Sequence, residues 1–92
     1  MREKTIEQAL IRAVYAADGI CPKWEGWNGC PDRMVLLPGG RVGFVELKAP
    51  GEKPRPLQVK RHEQLRRLGF RVYVVDHVEQ IEQTLTEIGG ES

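Results

Sequence analysis

The chain has 92 residues, 14 Lys and Arg against 13 Asp and Glu, a formal charge of +1, and 40% hydrophobic residues. That length supports one compact domain with a modest core, read as spanning residues 1–92, and a partner subunit would help to bury more surface. No apolar run approaches the roughly 20 residues needed to cross a bilayer and no signal-peptide pattern opens the chain, so a cytoplasmic protein is expected. Cys21 and Cys30 lie far along the chain from His62 and His77; this is no zinc pattern, and both read as free thiols near a loop.

Ile6, Leu10, Ala13, Val14 and Ala17 recur at three- and four-residue intervals and predict a helix from about Glu3 to Ala17, ended by Gly19. Glu7 lies at the border of that apolar stripe, where position alone makes it a solvated flank residue. The stretch KWEGWNG follows, with Trp24 and Trp27 bracketing a glycine. Aromatics beside glycine are common in strands, so a first strand is expected here; the two indoles could also pack in the core, meet a second subunit or stack on unpaired bases.

After Asp32, Met34 to Leu37 read as a strand, Pro38, Gly39 and Gly40 as a turn, and Val42 to Lys48 as a second strand, forming an antiparallel hairpin. Such a hairpin carries Asp32, near the start of one strand, to the far end of the other, where Glu46 and Lys48 lie. Alternate strand residues share a face, so Phe44, Glu46 and Lys48 emerge together while Val45 and Leu47 face the other way. Charges within an apolar strand need partners, a metal or a water-filled cleft, because burying them unpaired costs several kcal/mol.

The loop APGEKPRP adds Lys53 and Arg55 beside that strand end. A second helix is expected from about Pro56 to Leu68, with Leu57, Leu65 and Leu68 inward, Gly69 as its cap, and Gln58, Arg61 and His62 along one side of a groove. Arg71 to Val75 form a strongly apolar strand suited to a sheet interior. Asp76 and Glu79 suggest a variant capping box before a last helix that turns Val78, Ile81, Leu85 and Ile88 inward. Charge divides along the chain. Between Glu52 and Arg71 seven bases face two acids, a local balance of +5, whereas Asp76 to Ser92 hold five acids and no Lys or Arg. The first segment attracts phosphate and the second repels it.

Two carboxylates on neighbouring strands can hold a divalent ion through hard oxygen ligands, and a nearby ammonium can orient the attacking water or offset phosphate charge. With Glu7 in an opening helix, Gly29-Cys30-Pro31-Asp32, Phe44-Val45-Glu46-Leu47-Lys48, and Gln58 opening the next helix, the chain resembles the PD-(D/E)xK nuclease superfamily and within it the VRR-NUC domain. The resemblance covers nearly the whole chain. It implies an α/β, restriction-endonuclease-like αβββαβ core with a mixed central sheet, here followed by a C-terminal helix. It also implies metal-dependent DNA cleavage, often by a homodimer, in a phage or bacterial setting and with behaviour similar to that of Holliday-junction resolvases.

On that resemblance Asp32, Glu46, Glu7 and the backbone carbonyl of Leu47 are expected to ligate Mg²⁺ or Mn²⁺, Lys48 to position the water, and Gln58 to orient Lys48 or a phosphate. Lys53, Arg55, Lys60 and Arg61 are expected to hold the DNA backbone without reading sequence. The expected activity is structure-selective endonucleolytic cleavage of four-way junctions. A flap or nicked-duplex nuclease of the same fold, or a non-cleaving DNA-binding or assembly module, are the alternatives.

Overall fold

A computed structural model describes residues 2–90. Five named segments carry the sheet and its first two helices: α1 (Glu3–Ala16), β1 (Arg33–Leu37), β2 (Arg41–Leu47), α2 (Pro56–Arg67) and β3 (Arg71–Val75). A single 3-10 turn, Val78–Gln80, then leads into α3 (Ile81–Ile88). The sheet runs in the order β1-β2-β3, with β1 antiparallel and β3 parallel to the central β2. Helix α2 is the crossover between the two parallel strands, the connection a parallel pair requires.

Strand alternation sorts the core into two layers. Val45 and Leu47 on β2 and Val35 on β1 face α1 and α3, joining Ile6, Leu10, Val14, Ile81 and Ile88 in the main core. On the other face Phe44 meets Leu65 of α2 and Val72 of β3 in a smaller cluster, with Trp24 and Met34 against it. Gly43 lies on the first face where Ile88 crosses, and a Cβ there would come within 2.5 Å of the Ile88 side chain. Its missing side chain lets α3 pack onto the sheet.

Helix α1 buries Ile6, Leu10 and Val14 as the periodicity requires, but Ala17 is exposed at its end. The left-handed residue that ends the helix is Asp18, with φ of 62°, and the adjacent Gly19 is buried, its N–H donating to the Val14 carbonyl at 2.9 Å.

Among the described residues the order is αββαβ followed by α3, not αβββαβ: no regular strand forms at KWEGWNG before the hairpin. The first residue of that stretch still pairs with β1, through the isolated bridge Lys23↔Arg33 that follows Ile20↔Leu36, and Gly26 to Gly29 are bends and turns. Trp24 belongs to the minor core, its ring 4.7 Å from that of Phe44. The expected inward face of α2 also differs. Leu65 is buried, yet Leu57 and Leu68 are exposed, and the inward positions one and two turns before Leu65 are taken by His62 and Gln58. Ahead of α3 the side chain that reaches back is Gln80, not Glu79: its Oε1 accepts from the Asp76 and His77 N–H groups at 2.8 and 3.2 Å.

Candidate active site

The hairpin register sets the site. Arg33 pairs with Val45, so one step further along the ladder Asp32 falls opposite Glu46. The Leu47 N–H donates to Asp32 Oδ2 at 2.7 Å, which fixes the carboxyl at the sheet end. Glu46 is 1% exposed and its carboxylate is enclosed by donors. Gln58 Nε2 donates to Oε2 at 3.1 Å, His62 Nε2 lies 3.2 Å from Oε1, and Lys48 Nζ stands 3.8 Å from Oε2. Beyond hydrogen-bond range of Glu46, the Lys48 ammonium keeps its donors for another group.

Gln58 carries two duties. Its Oε1 accepts the Arg55 N–H at 2.8 Å, closing the first turn of α2, and its amide nitrogen reaches Glu46. The cap of the helix and the orientation of the acid therefore depend on one side chain. His62, one helical turn later and 2% exposed, completes the bracket from the same face. His62 was expected only to line a groove; the signal that could have placed it at Glu46 is its four-residue spacing from Gln58.

Burial pushes the Asp32 carboxyl up to about 6, partly countered by the Leu47 N–H and reinforced by the charge of Glu46, by a hydrogen bond with Glu46 and by the charge of Glu3. Two carboxyls thus meet in a half-buried place where one of them favours a proton. A divalent cation replaces that proton with the opposite charge both acids lack, so the donor set of Asp32 and Glu46 fits a hard ion.

The remaining expected residues divide between those at the site and those held elsewhere. Glu7 is engaged by Arg33, the residue after Asp32: its Oε2 accepts from Arg33 Nε at 2.9 Å, and Arg33 Nη1 also donates to the Cys21 carbonyl at 2.6 Å. Glu7 therefore fastens α1 to the strand that Asp32 precedes. Among the described residues no group of three or more His, Cys, Asp or Glu side chains is gathered as a metal cluster. Lys53, Arg55 and Lys60 are exposed and form no ion pair among the described residues. Arg61 is committed to the protein: Nε donates to the Asn28 carbonyl at 2.9 Å, Nη1 to Gln64 Oε1 at 2.9 Å, and the guanidinium covers the Trp27 ring at 4.3 Å. Arg66 likewise donates to the Val72 carbonyl at 2.7 Å. Cys21 and Cys30 are free, with the Cys21 thiol raised mainly by burial. No helix among the described residues is long and apolar enough to cross a membrane.

Helices on both faces of a mixed sheet, with two acids meeting at the end of the hairpin, define the restriction-endonuclease-like α/β class. A solved structure described as a VRR_NUC domain superposes with a TM-score of 0.81 at 32% identity, covering 90% of this chain and 92% of its own. "Putative nuclease p44" of Acyrthosiphon pisum secondary endosymbiont phage 1 is 47% identical over 78 residues, 83% of this chain and 84% of the relative. No protein-family model matches. The chain belongs to the VRR-NUC nuclease family.

Proposed function

We propose that this chain is a DNA endonuclease that uses Mg²⁺ or Mn²⁺ and cleaves branched DNA, with the four-way junction as the preferred form and two copies of the chain acting together. The observation that carries the reading is the meeting of Asp32 and Glu46 at the end of the hairpin, with Gln58, His62 and Lys48 gathered around Glu46. Its family membership and its likeness to a phage nuclease support the same activity.

Asp32, Glu46 and the backbone carbonyl of Leu47 would hold the ion. Bound there, it would supply Lewis-acid polarisation of a phosphoryl oxygen and a more acidic water. The work of the chain's own groups follows from their contacts. Gln58 and His62 keep the Glu46 carboxylate oriented, so the ligand does not rearrange as the substrate arrives. Lys48, buried along its stem and held loosely by Glu46, places its ammonium to orient a water or to offset charge on the phosphate in the transition state. Glu7 acts through Arg33, holding the chain next to Asp32 in place. Lys53, Arg55 and Lys60 contact DNA phosphates and bind without reading sequence.

A dimer presenting two such sites related by a two-fold axis suits a junction, which has two scissile strands in equivalent places. The test is cleavage of four-way junction, splayed-arm and linear duplex DNA with each metal and with EDTA. Junction nicking that needs metal and is lost in Asp32→Ala, Glu46→Ala and Lys48→Ala is expected. Cutting that survives EDTA, or three alanine variants as active as the parent, contradicts the assignment.

A further inference from the structure

Gln58, whose amide reaches Glu46, also lines a cleft of about 630 Å³ whose aromatic and apolar walls the proposed reaction does not use. Its walls include Trp24, Trp27, Arg55, Leu57 and Gln58. Apolar groups stand open to solvent there: Trp27 is 37% exposed and Leu57 39%. Arg55 offers an exposed cation on the same wall.

The loop that forms the other wall is held rigidly. The Cys30 N–H donates to the Trp27 carbonyl at 3.0 Å, and Arg61 grips the Asn28 carbonyl while lying over the indole of Trp27. Gly29 has φ of 83°, and a Cβ there would come within 2.7 Å of Leu57, so glycine lets the loop press directly against α2. A tryptophan fixed by a guanidinium on one face, yet still exposed beside a catalytic-type site, is already ordered before any ligand arrives. Stacking on it costs little side-chain entropy.

We infer that this cleft is a subsite for an unpaired nucleobase of the substrate strand, stacked on Trp27 and Leu57, with Arg55 on the phosphate beside it. A π-surface, an apolar contact and one cation, without a dense set of base-edge donors and acceptors, match sequence-tolerant binding of single strands. A paired base within duplex cannot enter, so the subsite would favour DNA with melted or unpaired nucleotides next to the cut, as in a gap or at a branch point whose flanking pairs have opened. The inference rests on the nuclease reading and names what selects the substrate.

The test uses Glu46→Gln protein with Mg²⁺, and labelled duplexes of equal length that are fully paired, carry a short unpaired gap, or carry the same gap with abasic residues. Anisotropy should show about tenfold tighter binding to the gapped duplex than to the paired one. Abasic residues in the gap should remove that preference, and so should an added Trp27→Ala, whereas Trp27→Phe should keep most of it and controls for folding. Equal affinity for gapped and abasic DNA overturns the subsite while leaving the nuclease reading intact, provided the parent protein still cuts. A preference that survives Trp27→Ala, or a Trp27→Ala protein that changes only its sedimentation as a dimer, also overturns it. If the parent protein binds none of the three and cuts neither them nor a four-way junction, both the subsite and the nuclease reading fall.

Discussion

Substituting Asn for Asp32 removes a carboxylate while keeping its shape, and the amide oxygen can still accept from the Leu47 N–H. The folded carboxyl is pushed from 3.8 to about 6, chiefly by burial. A shift of roughly two pK units corresponds to about 3 kcal/mol against the ionised folded state, reduced to about 1–2 kcal/mol because Asp32 keeps some contact with water. The sign follows from the raised value. Below 3.8 the acid is protonated folded and unfolded, so its charge costs nothing. As pH rises toward about 6 the unfolded chain ionises first and stability falls; above it the full cost is present. Asp32→Asn should therefore abolish cleavage yet unfold later than the parent at pH 7.5 in EDTA, by about 4–8 °C for each kcal/mol regained. At pH 4 the two proteins should nearly coincide. Thermal denaturation at both pH values checks this, and a variant no more stable at pH 7.5, or equally more stable at pH 4, refutes the reasoning.

Three further outcomes are expected. His62→Ala leaves one oxygen of the buried Glu46 without its partner and should lower single-turnover cleavage or metal affinity by about 10–100-fold, while Gln58→Ala should do the same and also loosen the start of α2. Calorimetric Mn²⁺ affinity should be flat above pH 7 and weaken by about tenfold per unit below the Asp32 value of about 6, because the proton must leave before an ion is held. Gly43→Ala should cost about 1–3 kcal/mol by driving a methyl group into Ile88, read as an earlier thermal midpoint.

What the sequence disclosed about this molecule depended on periodicity. The two-residue repeat of β2 placed Glu46 and Val45 on opposite faces, and the hairpin turn brought Asp32 to Glu46, because register and pleat follow directly from strand geometry. The three- and four-residue stripe likewise marked Ile6, Leu10 and Val14 as the buried side of α1. Where polar groups take buried places, the same rule points wrongly. On α2 the apolar pattern favoured Leu57 and Leu68, but the helix turns Gln58 and His62 inward because Glu46 needs donors there. The extended segment at Ile20 to Lys23 makes only two bridges and has no alternation to betray it, while the aromatic KWEGWNG suggested a strand that a glycine-rich, tightly bent loop replaces. Arg61 looked like a phosphate contact by charge, yet loop packing uses it, a distinction that only the position of Trp27 reveals.

The most direct measurement is an anomalous difference map from crystals grown with Mn²⁺. A peak within about 2.0–2.6 Å of carboxylate oxygens from both Asp32 and Glu46, absent from Asp32→Asn crystals, is the expected result. A manganese position that contacts neither acid, or that persists unchanged in the Asn variant, contradicts the account.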